Sequence, residues 1–332
     1  MEIEVAGRFV AVTSPDKVFF STRGDTKLDL INFYLSVGDA VMRQMGGRPV
    51  LMQRFPNGAE GSSFFQKRVP ESAPEWLTTT IVTTPNGTTA NALVIADLAH
   101  LVWAVNLGCL GFHSWPYRVT APDDIDELRI DLDPGPGTTF AMAQQAAALA
   151  KELFDGLGIR SYIKTTGNRG LHIYVRLQSG YDSIAVRACA VAVARELERR
   201  APDLVTAAWW KEQRGERIFV DYNQNAPHKT VFAPWSVRAH PYAPVSCPFD
   251  WDELATIRPP ELTIDVVPQR IAELGDPWAT IDDDPQSLEP LIDLVARDQA
   301  NGLEDAPWPP VYPKMAGEPS RVAPSRAKKP NP

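Results

Sequence analysis

Arg129-Ile130-Asp131-Leu132-Asp133-Pro134-Gly135 is the stretch on which the fold turns. It reads as the end of a buried strand closed by a Pro-Gly breaker. Side chains two apart on a strand share a face. Asp131 and Asp133 therefore project together, while Ile130 and Leu132 pack on the opposite side. Two carboxylates this close repel and raise each other's pKa. A hard divalent cation such as Mg2+ or Mn2+ relieves that repulsion through oxygen ligands. Taken alone, the pattern is more often a strand end with two solvated acids, so the surrounding chain must decide.

Downstream, residues 138–156 form an alanine-rich helix opened by Thr138 or Thr139 and closed by glycine. Residues 159–164 and 171–177 read as a strand pair around a polar turn, 182–200 as a second helix, and 217–222 as a strand ending in Asp221. Strand, helix, strand, strand, helix, strand over roughly 110–222 predicts a split βαβ sheet of ferredoxin-like or RRM-like type. Upstream lie an opening strand (2–12), a loop carrying Lys17, and a helix over 27–45 stopped by Gly46-Gly47. Four β-like runs follow (48–54, 62–67, 78–84, 90–95), then a helix over 97–106 and a strand over 109–119. The expected class is α+β: an N-terminal α+β module (1–108) packed against an RRM-like catalytic module (109–300). Prolines thicken from 227 to 260 and predict a wrapping coil. Residues 305–332 read as a mobile tail.

The chain has 332 residues, 44% hydrophobic and 22% charged, with net charge -8. That allows one large or two intimate domains and excludes a globally basic nucleic-acid binder, though local patches override net charge. No apolar run of about 20 residues offers a membrane span. The acidic start Met1-Glu2-Ile3-Glu4-Val5 lacks the zones of a secretory signal. Three distant cysteines, Cys109, Cys189 and Cys247, suggest reduced thiols in a cytosolic protein.

Several clusters could carry chemistry. Asp221 ends its strand as Asp131 and Asp133 end theirs, so three acids on neighbouring strand ends make a two-metal phosphoryl-transfer site conceivable. Pairing of Asp221 with Arg217 or Arg238 is the equal alternative. Lys164-Thr165-Thr166-Gly167-Asn168-Arg169-Gly170-Leu171-His172 is a Gly-flanked turn with the makings of a triphosphate cradle, although a polar hairpin with structural caps is the commoner fate of such turns; it is not a Walker loop. His113 before Ser114-Trp115-Pro116 is more often structural. Arg238 could reach a phosphate or a surface acid. Phe64-Phe65-Gln66-Lys67-Arg68 sets aromatics beside cations, as base stacking needs, although strand alternation should bury one of the two phenylalanines. Lys17 and Lys27 flank the first loop-to-helix junction as two point charges.

Together these segments resemble the polymerase domain of bacterial ligase D, in the archaeo-eukaryotic primase superfamily, and most of all its stand-alone actinobacterial Prim-PolC forms. The likeness rests on Ser14-Pro15-Asp16-Lys17-Val18, Arg54-Phe55-Pro56-Asn57-Gly58, Phe64-Phe65-Gln66-Lys67, His113-Ser114-Trp115-Pro116, Asp131-Leu132-Asp133-Pro134, the 164–172 turn, Arg217-Ile218-Phe219-Val220-Asp221-Tyr222 and Ala243-Pro244-Val245-Ser246. They keep the family's order over roughly residues 3–295.

The resemblance implies a template-directed nucleotidyltransferase that favours ribonucleotides, fills short gaps and extends ends in non-homologous end joining. Asp131, Asp133 and Asp221 would hold two Mn2+ or Mg2+ ions. Arg54, His113, Thr166, Arg169, His172, Gln224 and Arg238 would contact the incoming NTP or dNTP, and Phe64 and Phe65 the nucleotide and template. Lys17 and Lys27 would grip the 5'-phosphate of gapped or broken DNA. Gln53 stands where the family has lysine, Asn168 where it has glycine, and Arg169 where it has lysine. A separate DNA ligase is the expected partner, and the bacterial cytoplasm, at the nucleoid, the expected place. The rival readings are a primase that starts strands de novo, a non-catalytic binder of 5'-phosphorylated ends, and a metal phosphohydrolase.

Overall fold

A computed structural model describes residues 1–315 and residue 318. In chain order, strands β1 (Glu2–Val5), β2 (Arg8–Ala11), β3 (Val18–Phe20) and β4 (Asp25–Thr26) lead to helices α1 (Lys27–Ser36) and α2 (Gly38–Met45). Then come β5 (Pro49–Arg54), β6 (Phe64–Gln66), β7 (Thr79–Thr83), β8 (Thr89–Val94), α3 (Leu98–Asn106) and β9 (Cys109–Ser114). The second half holds β10 (Glu127–Pro134), α4 (Phe140–Gly156), β11 (Tyr162–Thr165), β12 (Leu171–Arg176), α5 (Ser183–Arg200), β13 (Val205–Thr206), α6 (Lys211–Arg214) and β14 (Ile218–Asp221). Short strands β15 (Val231–Phe232) and β16 (Pro248–Phe249) and helices α7 (Val266–Leu274) and α8 (Glu289–Ala300) complete it.

Two six-stranded sheets carry the molecule. The first sheet runs β13-β14-β10-β12-β11-β16. Its central four strands, joined β10-α4-β11-β12-α5-β14, are antiparallel, the split βαβ arrangement expected of an α+β protein. Alternation on β10 decides the layering. Leu128, Ile130 and Leu132 are fully buried in the core that includes α4 and α5, and each such side chain contributes about 1.5–3 kcal/mol. On α4, Ala143, Ala146, Ala147 and Ala150 repeat at helical spacing and let the helix approach closely. Thr139 caps it, accepting from the Met142 N–H. Glu127, Arg129, Asp131 and Asp133 face the other way. There the second sheet lies across them, Arg129 donating to the Ser114 carbonyl of β9 at 3.0 Å.

That second sheet runs β15-β9-β5-β8-β7, with β6 paired to β5. It corrects one reading of the sequence. The six-element unit begins at β10, not near 110, because β9 pairs with β5 and β15. Residues 109–114 thus belong to the sheet of the first half, and a β-strand pattern alone does not name its partner.

Other differences have local causes. The helix expected over 27–45 breaks at Gly38, where a Cβ would come within 2.8 Å of Leu98 on α3; glycine there admits the α3 side chain. Helices α7 and α8 lie beyond the stretch read as coil. Of the tail expected to be mobile, residues 305–312 are packed: Ala306, Trp308 and Tyr312 are buried. Apart from Glu318, the expectation for the tail beyond 315 lies outside the described residues. The three cysteines are buried and free. Among the described residues no helix is long and apolar enough to cross a membrane.

Candidate active site

The acid pair and the third acid meet. In the ladder, Asp221 lies directly opposite Asp131, Asp131 opposite His172, and His172 opposite Lys164. One row across four strands therefore reads Asp-Asp-His-Lys. Asp133, one step along the same face of β10, is exposed. Gln224, from the 3-10 turn Tyr222–Asn225, bridges the acids: its amide donates to Asp221 Oδ2 at 2.8 Å and lies 3.5 Å from Asp131 Oδ2. The Asn223 N–H donates to Asp221 Oδ1 at 3.0 Å. Asp221 makes no ion pair with Arg217 or Arg238, so that alternative falls away.

Burial, followed by the neighbouring Asp131 charge, raises the Asp221 carboxyl from 3.8 to about 6. Burial likewise raises Asp131 to about 6, against the pull of Lys164 and Arg238. Asp133 is raised less, by burial and by Asp131. These are hard oxygen donors that carry an electrostatic cost when ionised, the donor set that Mg2+ or Mn2+ relieves. The residues fit such an ion. Among the described residues no three His, Cys, Asp or Glu side chains already converge as a finished metal cage; the Gln224 bridge holds Asp131 and Asp221 instead.

Unfolded aspartates titrate near 3.9, so between about pH 4 and 6 the folded chain holds more protons and its stability falls as pH rises. Above about 6 the cost is fully present. Mn2+ is therefore expected to raise the melting temperature at pH 7.5 by about 4 °C or more at a hundredfold excess over Kd, where mass action supplies about 2.7 kcal/mol. At pH 5 the rise should vanish. Differential scanning fluorimetry across pH checks this; an equal rise at both pH values counts against it.

The 164–172 turn is tightly built. Thr166 Oγ1 accepts from the N–H groups of Asn168 and Gly170, both at 3.2 Å. Gly167 has φ +69°, and a Cβ on Gly170 would come 2.7 Å from the Leu132 carbonyl oxygen. The turn is thus clamped to β10 just before Asp133, with Asn168 and Arg169 exposed at its tip. Arg238 donates through Nε to the Thr166 carbonyl at 2.8 Å and lies 3.5 Å over Phe232. Burial lowers it to about 10. The fully buried Lys164 ammonium donates to Ser246 Oγ at 2.6 Å, and burial drives its pKa well down, with Arg238 adding to the fall.

His172 Nε2 lies 3.3 Å from Asp131 Oδ1. Burial, with Lys164 and Arg238, lowers its pKa far below the ordinary value, so the ring is neutral. His113 stands edge-on between Phe65 and Phe232, centroids 5.2 Å from each. Burial and the charge of Arg238 lower it to about 3. Its Nε2 is buried without a hydrogen-bond partner among the described residues, an orphan polar atom of the kind a ligand satisfies.

Phe64 and Phe65 are 46% and 56% exposed. The expectation that one is core fails because β6 is three residues long and pairs only with β5. Arg54 donates to the Leu107 carbonyl and to Gln66, with its guanidinium 5.2 Å over Phe64. Lys17 is exposed and donates to the Pro56 carbonyl at 2.5 Å. Lys27 is buried, and its ammonium donates to the carbonyls of Thr13 and Asn106 and to Asn106 Oδ1. Burial and then the Lys17 charge lower its pKa.

Sequence reasoning missed the depth of Lys164 and the role of Phe232 as a platform for both His113 and Arg238. It also missed the buried cluster of Glu127 with Arg48, Arg129 and Arg176 behind the acids. Glutamate and arginine alternating with Leu128 and Ile130 in a buried strand was the available signal.

Comparison with known proteins follows the same lines. A family described as LigD, primase-polymerase domain, matches residues 26–278. The multifunctional non-homologous end joining protein LigD of Mycolicibacterium smegmatis is 35% identical over 301 residues, 90% of this chain and 39% of that protein. The bifunctional LigD of Bacillus subtilis is 33% identical over 285 residues, 85% of this chain and 46% of that protein. The chain thus spans less than half the length of these curated relatives. The polymerase domain of Mycobacterium tuberculosis ligase D, solved in complex with DNA, superposes with a TM-score of 0.78 at 33% identity, covering 83% of this chain and 99% of that one.

Proposed function

This chain belongs to the LigD primase-polymerase domain family, and from that premise we propose that it is a DNA-directed nucleotidyltransferase that fills short gaps and extends broken ends during non-homologous end joining. The observation that carries the reading is the ladder pairing of Asp221 with Asp131, one step from Asp133. The family is metal-dependent, and Asp131, Asp133 and Asp221 are the residues that would hold the ions, Asp131 and Asp133 both of them and Asp221 one. In-line attack of the primer 3' hydroxyl on the α-phosphate breaks the α–β anhydride and releases pyrophosphate, and a bound Mn2+ or Mg2+ would supply charge stabilisation there.

The chain's own residues do the positioning. Arg238 and Arg169 offer guanidinium forks to the triphosphate. Thr166 shapes the turn that presents Arg169, and the orphan His113 Nε2 takes a phosphate or sugar oxygen. His172, neutral, orients Asp131. Gln224 and Arg54 complete the nucleotide contacts, and the Gln224 amide holds Asp221 beside Asp131. The exposed Phe64 and Phe65 give a template base a face to stack on. Lys17, with Lys27 beneath it, meets a 5'-phosphate, whose charge would restore the lowered Lys27. The first half (1–108) thus serves DNA ends and template, and the second the chemistry. The preferred substrate is a ribonucleotide, the preferred ion manganese, and the setting the bacterial cytoplasm at the nucleoid. A nick left behind needs a ligase.

The test is extension of a fluorescent primer across a short gap with a 5'-phosphate, comparing NTP with dNTP and Mn2+ with Mg2+. Templated addition with ribonucleotide and manganese ahead is expected. No addition with either ion, alongside binding that still requires the 5'-phosphate, would leave a binding module in its place.

A further inference from the structure

Beyond the family-matched residues, which end at 278, the chain returns to the catalytic sheet. Residues 304–312 lie along α5 and the 3-10 turn behind Asp221, and the hub of their contacts is Arg187. This arginine sits inside α5 and is 1% exposed. Its Nε donates to Asn223 Oδ1 at 2.8 Å. Its Nη1 donates to Asp305 Oδ1 at 3.0 Å, and its Nη2 to the carbonyls of Ala306 and Pro307 at 2.8 and 3.2 Å. The guanidinium lies 3.8 Å from the centroid of Trp308 and 5.5 Å from that of Tyr222.

A buried guanidinium is costly unless its donors are met. Here one acceptor comes from the turn and three from the C-terminal segment. Asn223 is shared by both: its Nδ2 donates to the Pro307 carbonyl at 3.0 Å, and its backbone N–H donates to Asp221 Oδ1. Trp308 is 2% exposed, with its indole N–H on Asp305 at 2.7 Å. It packs with Ala226 and Tyr312, and the Tyr312 hydroxyl donates to the Pro227 carbonyl. The segment therefore grips the turn at both ends of its 222–227 path.

We propose that residues 304–312 form a strap that, through Arg187 and Asn223, fixes the orientation of the Asp221 carboxylate for metal binding, making Arg187 and Trp308 positioning residues. The proposal rests on the two-ion reading of the acids. Without the strap Arg187 loses three acceptors and an aromatic face, and Asn223 loses Pro307. The Asn223 N–H then no longer holds Asp221 Oδ1 in one place, and an oxygen ligand that must be oriented on binding binds more weakly. Substitutions of partners that orient a metal ligand cost about 10–100-fold in affinity or activity.

The test compares full-length wild type, Trp308→Ala, Trp308→Phe and Val41→Ala, a cavity on α2 that serves as a stability control. Mn2+ affinity is read by electron paramagnetic resonance without DNA, alongside kcat and KM for extension. Trp308→Ala is expected to weaken Mn2+ about tenfold and lower kcat about tenfold, with nucleotide KM changed less than about twofold. Trp308→Phe, which keeps the stack, should stay within about threefold of wild type. Val41→Ala should lose thermal stability and keep its Mn2+ affinity.

Unchanged Mn2+ affinity in Trp308→Ala, or an equal loss in Val41→Ala, overturns the strap. If Trp308→Ala does not fold, Arg187→Lys, which keeps the charge and loses the fork, is held to the same criteria. A wild type that binds Mn2+ and adds no nucleotide removes the polymerase reading, while a weaker Mn2+ site in Trp308→Ala would still uphold the strap.

Discussion

Asp131→Ala or Asp133→Ala is expected to abolish nucleotide addition while leaving a folded protein. Removing a single preorganised donor from a charge-stabilising site costs roughly 10²–10³-fold. On the proposed assignment, in which Asp131 and Asp133 would hold both ions, the loss should exceed ~10³-fold in kcat, with the proposed nucleotide contacts of Arg169 and Arg238 largely spared. The electrostatics make a second, opposite expectation. Burial has raised Asp131 to about 6, so at pH 7.5 its charge weighs against the metal-free fold. Asp131→Ala should therefore melt no lower than wild type without metal, and should lose much of the Mn2+-induced rise. Extension assays with matched melting curves check both. Retained extension in either variant would falsify the metal assignment.

Glu127→Gln should be the most damaging single change away from the acids. The Glu127 side chain is 3% exposed and meets three guanidinium groups: Arg48 at 2.9 Å, Arg129 at 2.6 Å and Arg176 at 3.0 Å. Burial alone would raise its pKa, but the charges of Arg48, Arg129 and Arg176 win and hold it far below the carboxylate range. Replacing the carboxylate leaves Arg48 with Asp126, Arg176 with Asp126 and Asp282, and Arg129 with no acidic partner among the described residues. Breaking a buried pair in this way costs about 3–5 kcal/mol, measurable by urea unfolding.

The same cluster sets acid stability. Glu127 contributes above its unfolded value, near pH 4.3, and that contribution is lost as pH falls below it. Because Arg129 also reaches the Ser114 carbonyl beside His113, the variant should loosen the seam between the sheets. A loss under about 1 kcal/mol would show that Asp126, Asp282 and water carry the arginines without Glu127.

Much of this was legible in the chain because it depends on local pattern. Leu128, Ile130 and Leu132 alternating with Arg129, Asp131 and Asp133 announce a strand with one greasy and one polar face. Alanines 143, 146, 147 and 150 announce a helix that packs closely on it. What failed did so for nonlocal reasons. Phe64 and Phe65 alternate as a half-buried strand should, yet both are exposed, since nothing in a three-residue pattern says whether a second layer covers it. Cys109–Ser114 reads as a strand, but its pairing with β5 is a contact across more than fifty residues. The three oxygens of Thr13 and Asn106 that meet the Lys27 ammonium likewise come from segments that no local pattern names.

The sequence by itself determined that two acids share a strand face, that a third ends a later strand, and that helices separate them in split βαβ order. Periodicity and breakers act within a few residues and are written in the chain directly. Only the tertiary structure decided that Asp221 stands opposite Asp131, that both are desolvated enough to titrate near 6, and that a C-terminal strap closes over the turn behind them. Register and desolvation are set by what packs across the sheet, and that partner lies about ninety residues away for the acids and more than a hundred for Arg187.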